Sequence, residues 1–146
     1  MSSKLVDYFN KRPRLGCLGT ADKTGKVNVA YFGSPMMTDE KTIVMGLGKN
    51  RTFAYLQENP EAVFMIMEPA QAPPQWKGIR LYVRMTGWQT SGQQYNDVVA
   101  RLAKVAGLPV AQMEKTIHAA VTFEIYEKRP LVDFGQGWEK SIGTQV

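Results

Sequence analysis

The feature that most limits what this chain can fold into is a series of short apolar runs at strand-like period, separated by polar turns. Ile79, Leu81, Val83 and Met85 alternate with Arg80, Tyr82, Arg84 and Thr86, the pattern of a half-buried strand reaching to about Gly92. RLGCLGTA and VNVAYFGS flank the polar turn ADKTGK as the arms of a hairpin, and TIVMGLG and EAVFMIME are nearly continuous apolar strands. Val121, Phe123 and Ile125 alternate with Thr122, Glu124 and Tyr126 as the last strand. Beside these six strands stand only two substantial helical stripes, one after Asn50 and one over residues 95–106, and neither is placed as a regular crossover. A short helix over Leu5, Val6 and Phe9 is expected to end before Pro13, and a short helical turn to cover residues 110–116. Residues 36–41 read as a turn around Asp39, PAQAPPQWKG as a stiff loop, and the segment from Pro130 has no clear periodicity. The pattern predicts one domain over residues 1–146, mostly β with flanking helices, its antiparallel sheet closed into a barrel.

Composition narrows the partners. Hydrophobic residues make up 44% and charged residues 21%, the balance of a globular chain, and nothing approaches a transmembrane run or a secretory leader. Lys and Arg outnumber Asp and Glu by 18 to 13, which admits a nucleic acid, an anionic surface or a phosphorylated ligand. One cysteine, Cys17, excludes an internal disulfide and fits a reducing cytoplasm, and one histidine leaves no Cys/His metal cluster. No metal ligands are predicted. Cys17 reads as a small buried hydrophobe, and the eight methionines as fillers of core gaps.

The stretch GLGKNRTFAYLQENP is unusual in its charge. Asn50 reads as an N-cap, Phe53, Ala54 and Leu56 as an inward face, and Pro60 as a stop. Yet Lys49 and Arg51 sit at the helix start, where the dipole is already positive and each cation costs about 0.3–1 kcal/mol unless an anion is near. Backbone N–H groups, a forked guanidinium, an ammonium and the Thr52 hydroxyl together suit a phosphate monoester. The preceding apolar strand supplies a flat wall for an aromatic group. A solvated loop with two ordinary surface cations is the competing reading, and a Walker loop is absent.

TIVMGLGKNRTFAYLQENPEAVFMI, YVRMTGW and the hairpin GTADKTGKVNVAYFGSPM together resemble the pyridoxamine 5′-phosphate oxidase-like, FMN-binding split-barrel family. The resemblance spans residues 15–92, and the last strand is consistent with it. It implies a six-stranded antiparallel Greek-key split barrel and a homodimer with FMN in clefts at the subunit interface. Carried over, it implies that Lys49, Asn50, Arg51 and Thr52 hold the FMN phosphate. It places Met45, Gly46 and Leu47 along the isoalloxazine through backbone groups, and Ala30, Tyr31 and Phe32 at the border of the ring or ribityl chain. Arg51 stands where the family often has Lys, and Tyr82 near a position that is commonly Gln in the true oxidases. Those oxidases grip their substrate's phosphate with an Arg-x-His segment near the C-terminus. The tail KRPLVDFGQGWEKSIGTQV has no histidine, so pyridoxamine phosphate oxidation is not expected.

Within this reading the protein is an oxidoreductase passing hydride or electrons between a reduced nicotinamide or other donor and a small acceptor, with a simple electron carrier still open. No catalytic residue is assigned. Trp88 packs in the core or an interface or touches the flavin, while Trp138 and Trp76, harder to bury locally, are candidates to cover a ligand or the partner subunit. Two other functions compete. Arg80 and Arg84 flank Tyr82 on one face, as in a barrel for single-stranded nucleic acid, although a solvated wall is the favoured account of that pattern. Some members of the broader superfamily handle haem, which makes the single histidine, His118, a candidate axial ligand; a surface or strand-edge residue is the favoured reading.

Overall fold

The computed structural model describes residues 3–11 and 14–143. Seven antiparallel strands form one sheet: β1 (Leu15–Ala21), β2 (Val27–Tyr31), β3 (Met36–Asp39), β4 (Thr42–Leu47), β5 (Glu61–Glu68), β6 (Lys77–Gln89) and β7 (Ala119–Pro130). Their order is β2-β1-β5-β6-β7-β4-β3. The helices are α1 (Lys4–Asn10), α2 (Arg51–Glu58), α3 (Gln93–Ala106), α4 (Val110–Thr116) and α5 (Trp138–Ser141), with a single 3₁₀ turn at Pro73–Gln75. Among the described residues no helix is long and apolar enough to cross a membrane.

Two expectations are corrected. The sheet has seven strands rather than six, because residues 36–39 extend and pair with β4, Met37 opposite Ile43, both buried. Only the tip remains a turn, where the Asp39 carboxylate accepts the Lys41 N–H at 2.8 Å. The second correction concerns closure. The hydrogen-bonded ladder is open, and β2 and β3 are its two edges. The helix expected before Pro13 is α1, capped by the Ser3 hydroxyl; Pro13 itself and residues 144–146 lie outside the described residues.

The inner face of the sheet carries the main core. Leu18, Phe64, Leu81, Val83 and Phe123 meet Phe9 of α1 and Phe53 and Leu56 of α2. Phe64 is edge-on to both Phe9 and Phe123, with centroids 6.2 and 5.3 Å apart. The outer face divides in two. Over β4 and β7 it is covered by α3 and α4, where Val99, Leu102 and Met113, with Ile117 just past α4, form a smaller core with Ala120 and Val44. Both faces of β4 and β7 are therefore dry there, which accounts for the near-continuous apolar run of β4. Over β2, β1 and β5 no element among the described residues covers the outer face: Val27, Val29 and Tyr31 are 77, 68 and 64% exposed.

The segment after β7 is docked against the sheet. The Ser141 hydroxyl donates to the Gly78 carbonyl at 2.6 Å and accepts the Leu131 N–H at 2.9 Å, and Ile142 is buried.

Candidate functional site

Helix α2 starts as its sequence requires. The Asn50 Oδ1 accepts the Phe53 N–H at 2.9 Å, and Thr52, Phe53 and Leu56 make the buried stripe. The Asn59 N–H closes the last turn on Tyr55 at 2.8 Å before Pro60. The first turn holds no acid. Lys49 and Arg51 are exposed, and neither side chain has a hydrogen bond or ion pair among the described residues. The amides of Arg51 and Thr52 likewise meet no acceptor there, as the opening N–H groups of a helix do not within the helix itself. Positive charge and unspent donors are thus concentrated at one corner.

Two contacts bring the β2 side of the open sheet to this corner. The Asn28 Nδ2 donates to the Thr52 Oγ1 at 3.3 Å, and the Ser34 hydroxyl, just beyond β2, donates to the Gly46 carbonyl at 3.0 Å. Beyond Val44, β3 no longer pairs with β4, so the Gly46 carbonyl faces a seam rather than a neighbouring strand. The seam is bordered by the inward side of β2, with Asn28, Ala30 and then Phe32 half-buried, and by the edge of β4. On its other face Gly46 is packed tight: an added Cβ would stand 3.0 Å from Leu102 and 3.1 Å from Ile117. Behind Gly48 the Thr116 carbonyl would be 3.1 Å from such a carbon.

An aromatic group flanks the same turn. The Phe53 ring is edge-on to Trp88 at 5.7 Å and to His118 at 5.6 Å, and the His118 N–H donates to the Leu47 carbonyl at 2.8 Å. The ring nitrogens of His118 have no hydrogen-bond partner among the described residues.

No protein-family model matches the chain, and no curated protein sequence does. Solved structures do. An FMN-binding protein from Syntrophomonas wolfei superposes with a TM-score of 0.73 at 23% identity, over 88% of this chain and 84% of that one. The heme storage protein HutZ from Vibrio cholerae gives 0.66 at 17% identity, over 87% and 92%. A candidate pyridoxamine 5′-phosphate oxidase from Lactobacillus delbrueckii gives 0.60 at 16% identity, over 88% and 92%. The fold is that of the pyridoxamine 5′-phosphate oxidase-like split barrels.

In this split barrel the residues singled out by sequence fall into three groups. Lys49, Asn50, Arg51 and Thr52 lie together at the start of α2, with Thr52 turned inward and buried rather than open. Ala30 and Phe32 face the seam, whereas Tyr31 points to the outer face. Met45 and Leu47 put their side chains fully into the core, leaving the Gly46 backbone at the edge. Trp88 is at the corner through Phe53. Trp138 is not: its ring stands 5.6 Å from the Lys128 ammonium, and Lys128 is about 30 Å of strand beyond Ala119, the partner of Leu47.

Other readings change as well. Arg84 is held by Glu61 at 2.6 Å, and Arg80 bonds the Tyr82 hydroxyl and the Pro130 carbonyl, so those cations are already engaged. Cys17 is half-buried on the outer side of β1 rather than in the core, and burial pushes its thiol up. Asn28, Thr20, Ser34 and Phe53 were not singled out as site residues. None of them carried a signal of its own: Asn28 alternates with Val27 and Val29, and alternation alone does not say that the amide is the residue facing in.

Proposed function

We propose that the protein is an FMN-binding flavoprotein of the Greek-key split-barrel type, a homodimer with flavin at the subunit interface and an oxidoreductase role toward a small-molecule partner. The observation that carries this reading is the corner itself: among the described residues, two cations without counter-ions, two helix amides without acceptors and an inward hydroxyl, set beside a seam in the sheet. A phosphate monoester is an acceptor-only dianion and complements every one of those groups. Lys49 and Arg51 neutralise it, the α2 amides hydrogen-bond it, and Asn50 fixes the turn that aims them. Ala30, Phe32 and the edge of Gly46 border the seam for the ring system. The bound flavin supplies the hydride or electron transfer, so the chain need not provide an acid–base pair. The FMN-binding protein from Syntrophomonas wolfei, alike in fold, supports the choice of cofactor.

The dimer is supported by the bare outer face. Val27, Val29 and Tyr31 adjoin an apolar hollow of about 510 Å³ lined by Gly19, Val29, Ala62, Val63 and Tyr82. An apolar area of this kind marks a protein interface, and a second copy of the chain is the occupant that brings a matching surface.

A second reading is favoured by one observation. His118 presents ring nitrogens without partners among the described residues, its ring edge-on to Phe53, and HutZ is a heme storage protein of the same fold. Parallel titrations with FMN, read by fluorescence, and with haem, read by absorbance, separate the two. Purified protein titrated with FMN is expected to quench flavin fluorescence with one site per chain, and the Lys49→Ala, Arg51→Ala double variant to lose at least tenfold in affinity while keeping its melting temperature. Unchanged affinity in the double variant refutes the corner as the phosphate site. A Soret band on haem addition that disappears in His118→Ala, with no flavin quenching, selects the haem reading.

A further inference from the structure

Apart from tyrosines, the polar side chains buried among the described residues are Thr20 and Thr52, at 5 and 2% exposure, and both stand against the same amide. Thr20 is directly opposite Asn28 in the β1–β2 ladder, so their side chains share the inner face. Asn28 in turn donates from Nδ2 to the Thr52 Oγ1. The Thr20 hydroxyl has no hydrogen-bond partner, and the proton of the Thr52 hydroxyl has no acceptor among the described residues. Buried donors left in this state are destabilising, and a fold keeps them only against a gain elsewhere. Two buried hydroxyls set on one amide, the second of them in the first turn of a helix whose opening amides also meet no acceptor among the described residues, point to a missing acceptor at that turn.

We infer that Thr20, Asn28 and Thr52 form a directional relay behind the anion seat, with Asn28 as a positioning residue that makes the site discriminate phosphorylated from non-phosphorylated flavin. This rests on the FMN reading given above. With the anion in place, the Thr20 hydroxyl donates to the Asn28 Oδ1, the Asn28 Nδ2 donates to the Thr52 Oγ1, and the Thr52 hydroxyl donates to a phosphate oxygen. Every proton in the line then points toward the negative charge, and each bond polarises the next. Asn28 suits the middle position because an amide accepts at one end and donates at the other.

The test compares FMN with riboflavin, which differs by the phosphate, on the wild-type chain and on two near-isosteric variants, Thr20→Val and Asn28→Asp. Asn28→Asp keeps the shape but turns the middle group into an acceptor, drawing the Thr52 proton inward and setting a negative charge behind the seat. FMN affinity is expected to fall tenfold or more in Asn28→Asp and several-fold in Thr20→Val, with riboflavin affinity unchanged in both. Thr20→Val also separates a purely structural role: it removes an unsatisfied hydroxyl, so its melting temperature is expected to hold or rise while FMN binding weakens. A wild-type preference for FMN that persists in both variants overturns the relay alone. A wild-type chain with no preference for FMN over riboflavin overturns the phosphate seat and the relay together.

Discussion

Asn50 shows how much a single side chain decides at this corner. Its carboxamide oxygen caps α2, and replacing a cap of this kind by Ala costs about 0.5–2 kcal/mol. Aspartate caps equally well but brings a negative charge to the place where an anion is proposed to bind. Asn50→Asp is therefore expected to keep or slightly raise thermal stability, since it answers the helix dipole and the two cations, and to weaken FMN binding. Calorimetry and a flavin titration on one sample check both halves; tighter FMN binding in that variant would count against the site. This cap was legible in the sequence because Asn50 precedes an apolar stripe and its role is local. The inward turn of Thr52 was not, because it depends on where β2 delivers Asn28, a contact between residues 24 positions apart. The need for small size at Gly46 and Gly48 was not legible either, since it comes from Leu102, Thr116 and Ile117, in or just past helices far along the chain.

Strands show the same division between what is local and what is not. The alternation in β6 and β7 was legible because one face of each is in the core. In β2 the pattern VNVAY suggests inward valines, but the phase is reversed: Val27 and Val29 face out and Asn28 and Ala30 face in. Alternation fixes two faces without saying which is the core, and a one-residue change of phase exchanges them. β3 escaped notice because four residues are too few to show a period, and closure failed because pattern alone does not say which edge strands meet. Across β5, β6 and β7 the outer face is tied by Glu61, which accepts from the Tyr126 hydroxyl and from Arg84, each at 2.6 Å. The Tyr126 hydroxyl bond, then Arg84, holds the Glu61 carboxyl below its usual range, and the same bond raises the Tyr126 phenol. A depressed carboxyl stabilises the fold above the unfolded value near 4.3 and loses that contribution as pH falls through the folded value. The raised phenol contributes fully below about 10 and loses its share as pH rises through its folded value. Being largely exposed, the Glu61 tie is worth no more than about 0.2–1 kcal/mol after solvent screening. Glu61→Gln is expected to flatten the acid limb of the stability–pH curve by that amount, as read from urea midpoints between pH 3 and pH 7.

At the scale of the whole molecule the two halves of the outer face are unequal. Helices α3 and α4 seal β4 and β7, and the valine-bearing half over β2 and β1 is left bare. If a second copy covers that half, Val29→Lys is expected to yield a monomer in sedimentation velocity, with melting temperature lower by the lost association and FMN affinity reduced along with it. A variant that stays dimeric would move the interface elsewhere. Ser34 adds a separate consequence. Its hydroxyl holds Gly46, while its carbonyl accepts from the Arg101 guanidinium of α3 at 3.1 Å. The loop after β2 is thereby fastened both to the seam and to a helix on the opposite surface of the sheet. Occupancy of the seam should then be legible at a distance: deuterium uptake by the amides around Arg101 is expected to slow when FMN is added, although no ligand atom need approach α3.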